Sequence, residues 1–76
     1  MSKHLILYST TACHLCDEAE LLLNHAKLEW QTIEITDNDE LLDRYSLKIP
    51  VLYDRVTKRE LCWPFSLTDI SALISQ

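Results

Sequence analysis

The sequence predicts an α/β fold of order βαβαββα, a four-stranded mixed sheet with flanking helices in a single domain over residues 1–76. Three patterns carry that expectation. Apolar or alternating runs of strand length recur at about 4–8, 30–35, 51–53 and 60–63. Between the first three lie segments with apolar residues at helical spacing, and the last segment opens with a helix start signal.

Leu5-Ile6-Leu7-Tyr8 is short and apolar enough for a buried strand. The loop Ser9-Thr10-Thr11-Ala12 then leads to Cys13-His14-Leu15-Cys16, where a helix begins and runs to about Lys27. Leu15, Ala19, Leu22, Leu23 and Ala26 form its apolar stripe. In 30–35, Ile33 and Ile35 share one face while Thr32 and Glu34 share the other, as in a half-buried strand. Asp37 and Glu40 read as N-cap and N3 of a capping box that opens a short helix bearing Leu41, Leu42 and Tyr45. Alternation of the first three strands with helices implies a right-handed crossover between parallel strands.

Pro50 opens Val51-Leu52-Tyr53, where proline is tolerated at the first residue of a strand. Residues 54–58 turn the chain into Glu60-Leu61-Cys62-Trp63, giving a hairpin whose antiparallel strand closes the sheet. Ser66 and Asp69 form a second capping box, with Phe65 and Ile70 as its hydrophobic staple. Leu67, Ile70 and Ile74 supply the face of that last helix.

Composition excludes several classes of function. A net charge of −5 leaves no basic stripe to displace counterions from nucleic acid, and the positive residues Arg44, Lys48, Arg55, Lys58 and Arg59 read as a solvated face. Three cysteines are too few for a secreted disulfide framework. No stretch approaches the roughly 20 apolar residues of a membrane span, and the opening residues show no signal-peptide pattern. A cytoplasmic, monomeric protein is the expectation, in which a C-x-x-C is catalytic or metal-binding sooner than structural. His4, His14 and His25 lie 10 and 11 residues apart, far from zinc-ligand spacing. With glycine absent, positive φ falls to residues such as Asn24, Asn38 or Asp54.

The C-x-x-C after the first strand, together with Ile49-Pro50 opening the third 34 residues beyond Cys16, resembles the glutaredoxins and glutaredoxin-like proteins of the thioredoxin fold. The likeness spans about residues 3–75. It implies a thioredoxin-like (glutaredoxin-type) domain with a cis Pro50 beside the cysteines. Backbone groups of Ile49 are then free to pair with an extended thiol substrate. Departures are plain: His14-Leu15 replaces Pro-Tyr, Lys48 stands before Ile49-Pro50, Thr10 replaces a lysine, and Trp63-Pro64-Phe65 replaces a glutathione-holding Gly-Gly. A bacterial glutaredoxin-like branch fits better, although Ser46 then occupies a position where glycine is common and backbone strain is expected.

Cys13 is the expected nucleophile because it stands at the exposed lip of the helix, and Cys16, inside the first turn and facing the core, is the expected resolving thiol. Helix-terminal N–H groups and the macrodipole stabilise a thiolate there. A C-x-x-C thiol titrates at about 3.5–7.5; without proline and with Asp17, Glu18 and Glu20 close by, the upper half of that range is expected. Ile49, Pro50, Lys48 and His14 are the candidate substrate-binding residues, Lys48 for a substrate carboxylate. Cys62 reads as a small buried hydrophobe in its strand, and Trp63 and Phe65 as core.

The favoured reading is thus a thiol–disulfide oxidoreductase acting on protein disulfides or glutathione mixed disulfides, with no bound cofactor and glutathione as a candidate reductant or substrate. An iron–sulfur or metal carrier and a non-catalytic thioredoxin-fold interaction module remain the alternatives.

Overall fold

In a computed structural model, which describes residues 4–74, the elements are β1 (Leu5–Ser9), α1 (His14–His25), β2 (Gln31–Glu34), a 3-10 turn (Ile35–Asp37), α2 (Asp39–Tyr45), β3 (Val51–Asp54), β4 (Arg59–Cys62) and α3 (Leu67–Ile74). The parts of the expected likeness at residues 3 and 75 lie outside the described residues. The sheet order is β2-β1-β3-β4. Central β1 is buried at Leu5, Ile6 and Leu7, which accounts for its unbroken apolar run. The edge strands β2 and β4 are largely exposed and polar.

The parallel crossover is confined to β1-α1-β2; β3 pairs antiparallel with β1, and β4 antiparallel with β3. The chain leaves β2 at one end of the sheet and enters β3 at that same end. A seven-residue α2, about 10 Å long at 1.5 Å per residue, carries it past the end of β1 without returning along the sheet. Pro50, just before Val51, and the loop after Ser9 therefore share one end of the sheet.

Two apolar layers flank the sheet. On one side Leu5, Leu7 and Leu52 meet Ala19 and Leu23 of α1, Phe65, and Ile70 and Leu73 of α3. On the other, Val51 packs with Ile35 and Tyr45, with Tyr8, Leu41 and Ile49 half-buried around them. Truncating a fully buried leucine such as Leu7 or Leu23 typically costs about 2–5 kcal/mol. That is a large share of the roughly 5–15 kcal/mol that holds a domain together.

Ala19 and Leu23 of the expected α1 stripe are buried together with Cys16, and Leu22 is partly buried against the same core, but Leu15 faces solvent. Leu73 likewise joins Ile70 as the buried pair of α3, while Leu67 and Ile74 are partly exposed. The capping box of α3 forms reciprocally: Ser66 N–H donates to Asp69 Oδ2 over 2.9 Å, and Asp69 N–H to Ser66 Oγ over 3.2 Å. Phe65 and Ile70 are both buried beside it.

The cap of α2 is corrected by one residue. Asn38 Oδ1 accepts the N–H groups of Glu40 and Leu41 at 2.8 and 3.2 Å, while Asp37 closes the preceding 3-10 turn. Asn and Asp cap equally well, so which one serves depends on where the turn ends.

Positive φ falls on Ala12, Lys27 and Lys58, and not on the expected Asn24, Asn38 and Asp54. Asn38 and Asp54 use their side-chain oxygens instead: Asp54, itself buried, accepts the N–H groups of Val56 and Thr57 at 2.8 and 3.4 Å to close the hairpin turn. Ser46, expected to be strained, has ordinary right-handed helical dihedrals of −55° and −31°.

Candidate functional site

Cys13 occupies the N-cap of α1 with φ −107° and ψ 106°, an extended conformation that turns its side chain back over the first turn. Its Sγ accepts the backbone N–H of Cys16 at 3.1 Å. A cap is ordinarily an oxygen residue that satisfies an orphan N–H; here sulfur takes that place, and negative charge on the sulfur strengthens the bond. Cys13 and Cys16 are joined as a disulfide, with Cα atoms 5.2 Å apart.

The two sulfurs differ in environment. Cys16 is buried as part of the α1 stripe, whereas Cys13 is only partly covered. The same helical periodicity that packs Ala19 and Leu23 against the sheet thus withdraws Cys16 from solvent and leaves Cys13 accessible.

Ile49-Pro50 is a cis peptide, as the resemblance implies, and Trp63-Pro64 is a second. Pro50 lies buried one residue before Val51, whose register partner is Tyr8. Its carbonyl accepts the N–H of Trp63 at 3.1 Å. The expectation that Ile49's backbone is free is half corrected. Its N–H donates to Tyr45 O over 3.1 Å, because the chain closes α2 with a turn before entering β3.

Lys48 is exposed, its own N–H also bonded to Tyr45 O at 2.8 Å. His14 is exposed and turns along the helix to Glu18, 2.9 Å away, rather than toward the sulfurs. Asp17 and Leu15 are exposed as well.

Cys62 is corrected: it is a free, exposed thiol on edge strand β4. Its register partner Val51 opposes Tyr8, so Cys62 lies on the α2 side of the sheet, beyond the reach of the short α2. Trp63 and Phe65 pack edge to face with centroids 5.1 Å apart, against the α1–α3 layer, as expected for core.

Sequence reasoning missed Glu34 and the tyrosines. Glu34, read only as an outward strand residue, accepts the N–H and hydroxyl of Thr36 at 3.2 and 2.9 Å. Hydrogen bonds from the Thr10 side chain, from Thr36 and from the Thr11 backbone hold its carboxyl below the usual carboxylate range. The signal was a Glu-x-Thr at a strand end, a local side-chain-to-backbone pattern that strand alternation obscures. Tyr8 stacks on Tyr45 with centroids 4.6 Å apart, and burial pushes both phenols up from their ordinary value.

Among the described residues no set of three or more His, Cys, Asp or Glu side chains converges to hold a metal, and no helix is long and apolar enough to cross a membrane. Two surface depressions, one along α2 at Asp39 and Asp43 and one between β4 and α3 at Arg59 and Asp69, exclude the cysteines.

With the fold and the cysteine pair in view, residues 4–75 match the family described as Glutaredoxin-like domain (DUF836). The chain belongs to the glutaredoxin-like family. Its likeness to solved structures runs the length of the domain. The X-ray structure of XcR50 from X. campestris is 38% identical, covering 93% of this chain and 95% of that one, with a TM-score of 0.85. The solution structure of XcR50 gives 37% identity, 95% and 92% coverage and a TM-score of 0.84. The solution structure of Ne2328 from Nitrosomonas europaea is 31% identical over 96% and 92%, with a TM-score of 0.73. A comparison with curated proteins gave no match. This glutaredoxin-like protein is therefore a thioredoxin-fold domain bearing a C-x-x-C cysteine pair at a helix N-terminus.

Proposed function

We propose that the protein is a thiol–disulfide oxidoreductase with Cys13 as nucleophile and Cys16 as resolving thiol. The observation that supports this best is the contrast within the pair: a partly exposed Cys13, whose sulfur accepts a helix-terminal N–H, against a buried Cys16.

In the reduced protein the Cys13 thiolate attacks one sulfur of a substrate disulfide. A mixed disulfide forms and one substrate thiolate leaves, taking a proton from water. Cys16, as thiolate, then attacks Cys13 Sγ. The Cys13–Cys16 disulfide forms, the second substrate thiolate leaves, and two electrons have passed from the protein to the substrate. An external thiol, such as glutathione or a protein dithiol, returns the pair to the reduced state by the same exchange run in reverse.

The N–H of Cys16 assists both when Cys13 attacks and when it is the leaving group, since in each case charge resides on that sulfur. The carbonyl side of Ile49 is the remaining backbone edge for an extended substrate, with Lys48 beside it for a carboxylate. Leu15, exposed between the cysteines, offers apolar contact suited to a protein disulfide. Glutathione mixed disulfides are the second substrate class, with Trp63-Pro64-Phe65 where a glycine pair would otherwise hold the tripeptide.

The test is substrate trapping. Cys16→Ser accumulates a covalent adduct with a disulfide substrate at Cys13, identified by peptide mass, while Cys13→Ser neither reduces substrate nor traps it. Preferential adducts at Cys16, with Cys13 dispensable, overturn the assignment.

A further inference from the structure

Leu47 is 98% exposed, the most open of the large apolar side chains among the described residues. It lies in the turn between α2 and β3, where the N–H groups of Lys48 and Ile49 both close on Tyr45 O. A leucine left in water there adds nothing to the core. Three residues on comes Pro50, then Val51, whose register partner Tyr8 is one residue short of the end of β1. Three residues of chain span at most about 11 Å, so Leu47 stays at the end of the sheet from which Cys13 emerges. Leu15, between the two cysteines, is 42% exposed at that same end. Apolar surface thus lies on two separate connections beside the accessible sulfur, where a monomer has no use for it.

The charge around these leucines is mostly of one sign. Asp17 donates its N–H to Cys13 O over 3.1 Å, one turn into α1, and Glu18 follows it. Asp37, Asp39, Glu40 and Asp43 line the connection that passes the end of β1, all of them exposed. Among the described residues of these two segments the basic groups are His14, paired with Glu18 over 2.9 Å, Arg44 and Lys48. Lys27, Arg55, Lys58 and Arg59 lie at the far end of the sheet, after α1 and around the β3–β4 turn, where Asp54 opposes Leu5 and Arg59 opposes Asp54. The domain is therefore acidic where the reactive pair sits and basic at its opposite end.

We propose that the cysteine end is a docking surface for a basic, apolar segment of a protein disulfide, with Leu47 and Leu15 against the side chains that flank the substrate cysteine and the carboxylates attracting its cations. The inference rests on the reading of Cys13 as nucleophile and names the substrate class within it. Lys48 meets one acceptor of the segment, while the field of the whole end selects the sign of the rest. Glutathione disulfides are the poorer class by the same argument, since the tripeptide carries more carboxylate than ammonium charge and no large apolar side chain.

The experiment measures how fast the reduced protein carrying Cys62→Ser reduces four disulfides near neutral pH. Three are homodimers of short acetylated, amidated peptides whose cysteine is flanked by lysine and leucine, by glutamate and leucine, or by lysine and serine; the fourth is oxidised glutathione. Each substrate disulfide takes two electrons and the two protons of the protein dithiol and becomes two thiols, while Cys13 and Cys16 close to their disulfide. Substrate thiol in acid-quenched samples is read by chromatography. Every rate is divided by that of dithiothreitol on the same disulfide, which removes intrinsic differences in reactivity.

At about 20 mM salt the lysine and leucine peptide reacts about tenfold faster than the glutamate and leucine peptide or oxidised glutathione, and at about 200 mM salt the gap falls below about threefold, because screening shortens the field. Leucine flanks outpace serine flanks by about fivefold, and Leu47→Ser narrows that ratio to about twofold. Asp17→Asn combined with Asp43→Asn narrows the ratio of the lysine to the glutamate peptide at low salt by about threefold; a ratio is read because neutralising Asp17 also eases thiolate formation for every substrate alike.

Equal rates for the lysine and glutamate peptides, a preference that salt does not weaken, oxidised glutathione matching the lysine and leucine peptide, or ratios unmoved in the variants would each overturn the docking surface and leave Cys13 as nucleophile. A protein that reduces none of the four removes the oxidoreductase reading itself. The Leu47 side chain is free of the core, so Leu47→Ser keeps the fold, and the comparison of the four disulfides stands without any further variant.

Discussion

Cys16 donates its backbone N–H to the sulfur of Cys13 across 3.1 Å, so one cysteine of the pair caps the helix in which the other is buried. The cap and the cysteine pair are a single piece of structure. Loss of the Cys13 sulfur therefore has a structural consequence besides a chemical one. Cys13→Ala is expected to lower the stability of the reduced protein by about 0.5–2 kcal/mol, the usual loss on removing an N-cap acceptor. Cys13→Ser, which restores an oxygen acceptor, should recover most of it. Urea unfolding of both variants under reducing conditions measures the difference.

At the other end of α1, Lys27 has φ 60°, and the bonds Lys27 N–H to Asn24 O and Leu28 N–H to Leu23 O, at 3.0 and 3.1 Å, make a Schellman cap. A lysine in the left-handed region carries a cost of about 1–2 kcal/mol that glycine escapes, partly offset by glycine's greater freedom in the unfolded chain. Lys27→Gly should stabilise the protein by about 0.5–1 kcal/mol, raising Tm by roughly 3–6 °C. Calorimetry reads this directly, and a lower Tm contradicts it.

Glu34 makes stability fall in acid. Its carboxyl is held below the usual range by hydrogen bonds from Thr10, Thr36 and Thr11, so the folded state binds its proton less readily than the unfolded chain. That contribution is complete above the unfolded value and is lost as pH falls through the folded one. Glu34→Gln should flatten the decline in Tm below about pH 4.5 relative to the parent. Parallel declines in the two proteins contradict this.

Tyr8 and Tyr45 set the alkaline limit. Burial, with the neighbouring Glu60, raises both phenols, so their contribution is present below the unfolded value and is lost as pH rises through the folded one. Tyr8→Phe should soften the fall in Tm above about pH 10. An equally steep fall in the variant argues against it.

Cys62, exposed on β4, should take up label without disturbing the Cys13–Cys16 pair. In the oxidised protein, maleimide is expected to modify Cys62 alone, and the labelled protein should melt within about 1 °C of the unlabelled, as surface changes usually do. Slow or absent labelling contradicts the exposure.

Much of this architecture is visible in the residues because local and tertiary signals agree. The Ser66–Asp69 box forms as written, and the run Leu5 to Tyr8 is buried because β1 is central. Elsewhere the tertiary context decides. In α1 the inward Cys16, Ala19 and Leu23 are legible, but periodicity alone also counts Leu15 in the stripe, and Leu15 faces solvent. Cys62 alternates correctly within β4, yet its face of the sheet is covered only as far as a seven-residue α2 extends. The positive-φ positions follow from where turns close, which is why Ala12, Lys27 and Lys58 carry them despite poorer intrinsic tolerance than asparagine. The cysteine pair and Pro50 were legible as motifs. The hydrogen bonds of Glu34 to Thr36 were not, because strand alternation places Glu34 only on an outward face.

The central claim, that the N-terminal end of α1 makes Cys13 a reactive thiolate, is tested most directly by titrating that thiol. In protein carrying Cys16→Ser and Cys62→Ser, thiolate absorbance at 240 nm followed against pH reports Cys13 alone. The account predicts a midpoint clearly below the roughly 8.5 of a free cysteine, within about 5.5–7.5. A midpoint at or above 8.5 would contradict it.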